Sequence, residues 1–284
     1  KDGLINNGFS NAVAQTSDGR IFAISDGIIH EFLPDQKDKT PKFRRMQNPT
    51  ISSATYDKSG NIWFGTPQQG IARYLQNSFS IIEDGSDLVK AGISSISGNG
   101  NNEVFFVAGK QTLFRVNGEK IESLLPRGLT SRDWFDGFLD FQSKDSEFWI
   151  PSLNGLLRYP KIKNFADLAR TPPMKVYTTK DGLFGDVTSA VFEDSRGDIW
   201  ISSPSATDSV VRFERSTGKL QRYTKDEGLP TANGAIAFGE DSSGNIWIGF
   251  YMGEIFRFKN GEFRDMTGGA RGRYSSVRRF LTDN

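Results

Sequence analysis

The nine residues Asp241-Ser242-Ser243-Gly244-Asn245-Ile246-Trp247-Ile248-Gly249 decide the fold. Asp241 can close an Asx turn, Gly244 can take a positive φ, and Asn245 tolerates the left-handed region. Ile246, Trp247 and Ile248 are the β-branched and aromatic residues that strands favour. Turn and strand recur at residues 57–65 and 194–202, in eroded form at 17–23, and more weakly around Phe105 and Trp149. The aromatic slot is filled in turn by Phe22, Trp63, Phe105, Trp149, Trp200 and Trp247, at spacings of 41, 42, 44, 51 and 47 residues. A period of this length with several strands per unit points to a β-propeller or a related repeat array.

Each repeat reads alike: a Gly-Leu loop, an apolar strand, the turn phrase with its strand, a third strand ending in an aromatic, and a fourth strand. The third strand recurs as Gly70-Ile71-Ala72-Arg73-Tyr74, Gly155-Leu156-Leu157-Arg158-Tyr159, Val210-Val211-Arg212-Phe213 and Glu254-Ile255-Phe256-Arg257-Phe258. Its Arg-aromatic pair implies an arginine stem laid over an aromatic on a sheet face. The repeats fall at about 1–48, 49–84, 85–125, 126–179, 180–225 and 226–267, and a further one opens over 268–284. The expected architecture is therefore all-β: one β-propeller domain over 1–284 with four-stranded antiparallel blades, six full repeats and the start of a seventh. A chain that opens without Met and stops inside a repeat reads as a fragment of a longer protein with a seven-bladed ring. Radial stacking would bury the repeated Trp between blades and protect the strand edges. Residues 160–173 form an insertion in the fourth repeat, where Asn164 to Ala169 has room for one helical turn.

A formal net charge of +1 gives no general field for nucleic acid or an anionic membrane. Cysteine is absent, which removes disulfides and thiolate chemistry and suits periplasm and cytosol equally. No apolar run has the length of a membrane span. The chain has one histidine, His30, on a third strand, where a packed or surface residue is the ordinary reading. No Ser-His-Asp set, phosphate loop or metal-ligand cluster is legible. Catalytic residues, metals and cofactors are accordingly not expected.

The Gly-Leu loop, the Asp-x-x-Gly-Asn-Ile-Trp-Ile-Gly phrase and Gly-Leu-x-Arg-Tyr, in that order, resemble the propeller repeats of two-component regulators. The likeness is strongest over 180–265 and 51–74 and weakest in the third repeat. It implies a periplasmic, ligand-sensing propeller of a hybrid histidine kinase, next to another propeller or a β-sandwich domain and compatible with a homodimer. Oligosaccharides or similar small ligands are the implied partners. The streptogramin lyases are propellers with a related-looking repeat, but they work through histidine and a metal, which a single strand histidine cannot reproduce. A structural scaffold and a propeller lyase or hydrolase are the alternatives.

Loops entering the first strands and those joining second to third strands should share one face. There the candidate ligand contacts are Arg132, Asp133, Trp134, Phe184, Asn233 and Tyr251. Trp134 is the one Trp outside the repeated slot. An aromatic flanked by Arg and Asp suits the apolar face and hydroxyls of a sugar.

Overall fold

The computed structural model describes residues 10–15, 19–25, 27–33, 42–46, 50–57, 59–75, 78–82, 92–93, 95–98, 102–108, 112–133, 141–203, 210–230, 234–268 and 280. The described strands build six four-stranded antiparallel sheets, each a β-propeller blade with its strands in chain order. The chain forms two compact units, Lys1–Ser123 and Leu124–Asn284.

In the first unit, blade 1 comprises β1 (Ser10–Gln15), β2 (Ile21–Ser25), β3 (Ile28–Leu33) and β4 (Lys42–Arg45). Blade 2 comprises β5 (Ser53–Tyr56), β6 (Ile62–Gly65), β7 (Ile71–Leu75) and β8 (Ser78–Ile82). Blade 3 comprises β9 (Ile96–Gly98), β10 (Glu103–Ala108), β11 (Thr112–Asn117) and β12 (Lys120–Leu124). The first strands β1, β5 and β9 are successive neighbours. Two apolar layers fill the gaps between blades. Phe22, Ile24 and Ile29 of blade 1 meet Ala54, Ile62, Phe64 and Tyr74 of blade 2. Trp63 and Ile71 of blade 2 meet Ile96, Val104, Phe106 and Val116 of blade 3.

In the second unit, blade 4 comprises β13 (Phe141–Gln142), β14 (Phe148–Ser152), β15 (Gly155–Arg158) and β16 (Lys175–Tyr177). Blade 5 comprises β17 (Val191–Glu193), β18 (Ile199–Ser202), β19 (Val210–Glu214) and β20 (Lys219–Tyr223). Blade 6 comprises β21 (Ala235–Glu240), β22 (Ile246–Phe250), β23 (Ile255–Lys259) and β24 (Glu262–Asp265). Trp149 packs on Phe213 of the next blade at 5.1 Å between ring centroids, and Trp200 packs on Phe258 at the same separation. The insertion turns once as a 3-10 helix, Phe165–Ala169, and sinks Phe165 and Leu168. Of residues 268–284, only Gly268 and Phe280 are described, so the opening strand expected there lies outside the described residues.

The aspartate that opens the turn phrase does more than close the turn. Asp57 accepts hydrogen bonds from the Asn61 N–H at 3.0 Å, the Asn61 amide at 2.8 Å and the Trp63 indole Nε1 at 2.8 Å. Asp194 accepts from the Arg196 and Asp198 backbones at 2.9 and 3.0 Å and from Trp200 Nε1 at 3.1 Å. Asp241 repeats this with Ser243 and Asn245, and with Trp247 Nε1 at 2.8 Å. One carboxylate thus satisfies the turn and the buried indole together, and a charge-assisted bond is roughly twice as strong as a neutral one. In blade 4 the position six before the Trp is Ser143. Its hydroxyl still accepts from the Glu147 N–H at 3.1 Å, but Trp149 Nε1 is buried without a partner among the described residues.

The arginine of the third strand lies over the Trp directly opposite it, not over its own chain neighbour. The pairs are Trp63 with Arg73, Trp149 with Arg158, Trp200 with Arg212 and Trp247 with Arg257. Guanidinium carbons stand 5.4, 4.9, 5.7 and 6.0 Å from the ring centroids. An acid two residues before the aromatic holds the guanidinium in blades 3, 4 and 5: Glu103 on Arg115, Glu147 on Arg158, Asp198 on Arg212. Blade 1 swaps the charges, with Arg20 over Phe22 at 5.8 Å and Glu31 on the third strand.

Neighbouring blades of the second unit are also stapled at the turns. Glu193 accepts from the Lys144 N–H at 2.8 Å, and Glu240 accepts from the Ser195 N–H and hydroxyl at 2.7 and 2.6 Å. Arg215 reaches Glu147 at 2.9 Å and donates to the Gly197 carbonyl at 2.7 Å.

Asp194→Ala strands the Trp200 indole and is expected to cost about 2 kcal/mol or more, whereas Ser143→Asp offers Trp149 an acceptor and is expected to gain about 1 kcal/mol, both read by urea denaturation. For Asp241, burial works upward, but the bonds from Trp247 and Asn245 prevail and bring its pKa from 3.8 down to about 2. Its folded pKa lies below the unfolded one, so its contribution is complete above the unfolded value and fades as pH falls toward 2. Acid titration of stability in Asp241→Asn should lack that part of the slope.

Candidate functional site

Antiparallel order places the strand-entering loops and the second-to-third hairpins at one end of each blade. In the second unit this end carries the 125–133 loop, the Leu153–Asn154 hairpin, the entries to blades 5 and 6, and the Tyr251–Gly253 hairpin. All three entries use the same capping device. Thr178 N–H donates to Asp181 at 2.9 Å, Thr224 N–H to Glu227 at 2.6 Å, and Thr130 N–H to Asp133 at 2.5 Å. Each is a Thr-x-x-Asp/Glu box, in which the acid reaches back to the chain.

Asp133 is therefore committed inside its loop. It also accepts from the Thr130 hydroxyl at 2.7 Å and the Asn154 amide at 2.6 Å, and its carbonyl accepts from the Leu153 N–H at 2.9 Å. These bonds tie the loop to the β14–β15 hairpin. Arg132, beside it, is exposed, and its backbone N–H donates to the Thr130 hydroxyl at 3.3 Å. No ion pair holds its guanidinium among the described residues.

Phe184 is half-buried against the apolar layer between blades 4 and 5, and the Arg222 guanidinium of β20 lies 3.9 Å from its ring centroid. It sits with the outer strand of blade 5. Tyr251 is 61% exposed at the β22–β23 hairpin, followed by Met252 at 46%. Its backbone N–H donates to the Gly234 carbonyl at 3.2 Å, which fixes the hairpin to the strand entry. Trp134 and Asn233 lie outside the described residues. No hydrogen bond, ion pair or ring contact joins Arg132, Phe184 and Tyr251 among the described residues.

Sequence reasoning missed Asn154, Arg222 and Met252. The Thr-x-x-Asp/Glu spacing could have revealed the capping role of Asp133. Asn154 and Arg222 act across distant sequence and carry no local signal.

His30 is fully buried, and neither ring nitrogen has a hydrogen-bond partner among the described residues. It stands between Ala23 of β2 and Arg45 of β4. Burial first, and the Arg45 charge second, hold its pKa below the usual 6.5. The fold keeps it neutral, so the stability it permits is present above pH 6.5 and declines as the unfolded chain takes up a proton below that value. His30→Leu is expected to flatten the dependence of the melting temperature on pH between about 7.5 and about 5.5. Groups of three or more His, Asp or Glu placed to hold a metal are absent among the described residues.

No protein-family model matches the chain, and no characterised protein matches it in sequence. Solved structures do match in fold. An extracellular domain ascribed to a hybrid two-component system of B. thetaiotaomicron superposes with a TM-score of 0.69 at 18% identity, over 93% of this chain and 35% of that one. A second such domain from B. thetaiotaomicron gives 0.67 at 14% identity, over 98% and 36%. The chain thus spans about a third of the length of these structures. A catalytically inactive virginiamycin B lyase from Staphylococcus aureus, solved with quinupristin, gives 0.69 at 12% identity, over 99% and 91%. What this chain shares with all three is the β-propeller fold.

Proposed function

We propose that this chain is a non-enzymatic sensor propeller of an extracytoplasmic two-component signalling protein. Its ligand, an oligosaccharide or a similar small molecule, binds on the face of the strand-entering loops. The observation that carries the reading is the contrast on that face between a fixed frame and exposed binding chemistry. The 130–133 loop is braced through Asp133 to Thr130 and Asn154. Arg132 stands exposed on this frame, and Tyr251 stands exposed on the β22–β23 hairpin, which its N–H ties to Gly234. A flat aromatic and a planar cation on a prearranged backbone suit the apolar face and the hydroxyls of a sugar, and a fixed frame lowers the entropy lost on binding. The fold shared with extracellular domains of hybrid two-component systems supports the signalling context and a periplasmic location. In that context a neighbouring propeller or β-sandwich domain and a second protomer are the macromolecular partners.

The fold likeness to a virginiamycin B lyase keeps an enzyme as the second reading. The burial of His30 inside blade 1 speaks against it, because a general base must reach its substrate.

A thermal-shift screen against neutral and acidic oligosaccharides tests the proposal. A ligand at about a hundred times its Kd stabilises the fold by roughly 2.7 kcal/mol. The expected result is a shift with some member of the panel that is lost in Trp134→Ala or Tyr251→Ala, whose own melting is unchanged. Breakdown of a panel member would favour the lyase reading, and the absence of any shift would overturn ligand sensing by this chain.

A further inference from the structure

The outer strands of the six blades are β4, β8, β12, β16, β20 and β24. Each has one strand neighbour among the described residues, so one row of its N–H and C=O groups faces outward. Folded proteins guard such edges with charged side chains, which resist pairing with another strand. Five of these edges are guarded: Arg44 stands in β4, Glu122 in β12, Lys175 in β16, Arg222 in β20 and Arg264 in β24. The exception is β8, whose residues Ser78-Phe79-Ser80-Ile81-Ile82 carry no charge.

This edge is firmly built. β8 runs antiparallel to β7 over all of its residues. The Phe79 ring is held within blade 2 by Tyr74 at 4.8 Å and Phe64 at 5.7 Å between centroids. The Ser78 and Ser80 hydroxyls donate to the Leu75 and Arg73 carbonyls of β7, at 3.1 and 3.4 Å. Ser78 and Ser80 are exposed, and Ile81 is 39% exposed. With no ion on the strand, a second strand laid beside it strips no charge of water.

The order of these residues is self-complementary. Two copies of β8 laid antiparallel about a two-fold axis at Ser80 set Phe79 opposite Ile81, Ser78 opposite Ile82, and Ser80 opposite its own copy. Phe79 and Ile81 alternate onto one face, so the axis gathers four apolar side chains there. Aromatic and β-branched residues facing each other across strands are a favourable pairing. The same operation about the strand centre sets Lys42 against Arg45 in β4, Glu122 against its copy in β12, and Glu262 against Asp265 in β24. Like charges so placed repel.

We propose that the β8 edge is the docking surface for a second copy of this chain, joined through an antiparallel β8–β8 pair centred on Ser80. The pair fuses the blade 2 sheets of two protomers, and its two-fold symmetry closes the assembly at a dimer. The contact gives the second protomer of the signalling reading its place. It needs no ligand, so oligomeric state and the oligosaccharide screen report separately.

Light scattering of the 284-residue chain is expected to give a mass that rises with concentration toward twice that of one chain. Ser80→Lys and Ser80→Glu each set like charges on the axis and should stay monomeric, with the unfolding of the monomer unchanged. An equimolar mixture of the two variants should recover the dimer, because opposite charges then meet. Ser80→Cys reads the register, since the chain has no other cysteine and directly opposed Cα atoms lie about 4.5–5.5 Å apart, within disulfide reach. Mild oxidation should link protomers in Ser80→Cys and leave Ser216→Cys, exposed on the β19–β20 hairpin, unlinked. A chain that stays monomeric at every concentration would overturn the proposal. So would a dimer that Ser80→Lys leaves intact, or one that the mixture fails to restore.

Discussion

The hydrogen bond from the interblade indole to the aspartate six residues earlier is the interaction on which blades 2, 5 and 6 depend. A Trp between blades buries a large apolar surface, but its N–H goes with it. Left unpaired, that donor costs a sizeable share of what the ring gains. The turn phrase answers both demands, because the carboxylate that shapes the turn also faces the indole of the strand leaving it. Asp57, Asp194 and Asp241 all do this. Where the slot holds Phe22 or Phe105, with no N–H to satisfy, positions 16 and 99 hold Thr and Asn instead of Asp. The acid accompanies the indole, and the Trp149–Ser143 pair is the exception, with its donor orphaned.

Around this hub the charges are arranged in depth. A third-strand arginine roofs each Trp opposite it, and in blades 2, 4 and 5 a carboxylate holds the arginine in place. The arrangement joins a cation–π contact of about 0.5–2 kcal/mol to a partly desolvated ion pair. Pairs such as Arg158 with Glu147 and Arg212 with Asp198 are mostly shielded from water, so salt screens them less than it would a surface bridge. The Glu193 and Glu240 staples then link one blade's turn to the next, leaving the opposite, loop-bearing end free to vary.

The repeat, its strand order and the interblade Trp were legible because they are local, periodic patterns. The helical turn expected within Asn164 to Ala169 lies at Phe165–Ala169. Side-chain partnership was less legible. The chain neighbour of each arginine is an aromatic, yet the guanidinium lies over the Trp across the sheet, a relation fixed by register. Asp133 drew attention as a ligand contact because it adjoins Trp134 and Arg132. Its oxygens serve the Thr130 cap and Asn154, and the amide lies 21 positions away in sequence. The face of a ligand site follows from topology; its chemistry depends on side chains that no periodicity constrains.

A double-mutant cycle on Asp194 and Trp200 tests the central claim most directly. Stability is measured for Asp194→Ala, Trp200→Phe and the pair. If the carboxylate is present to satisfy the indole, Trp200→Phe removes part of the reason for it, and the double variant loses less than the two single losses together. The account predicts a coupling of about 1 kcal/mol or more. Strict additivity would contradict it and reduce the aspartate to a turn former.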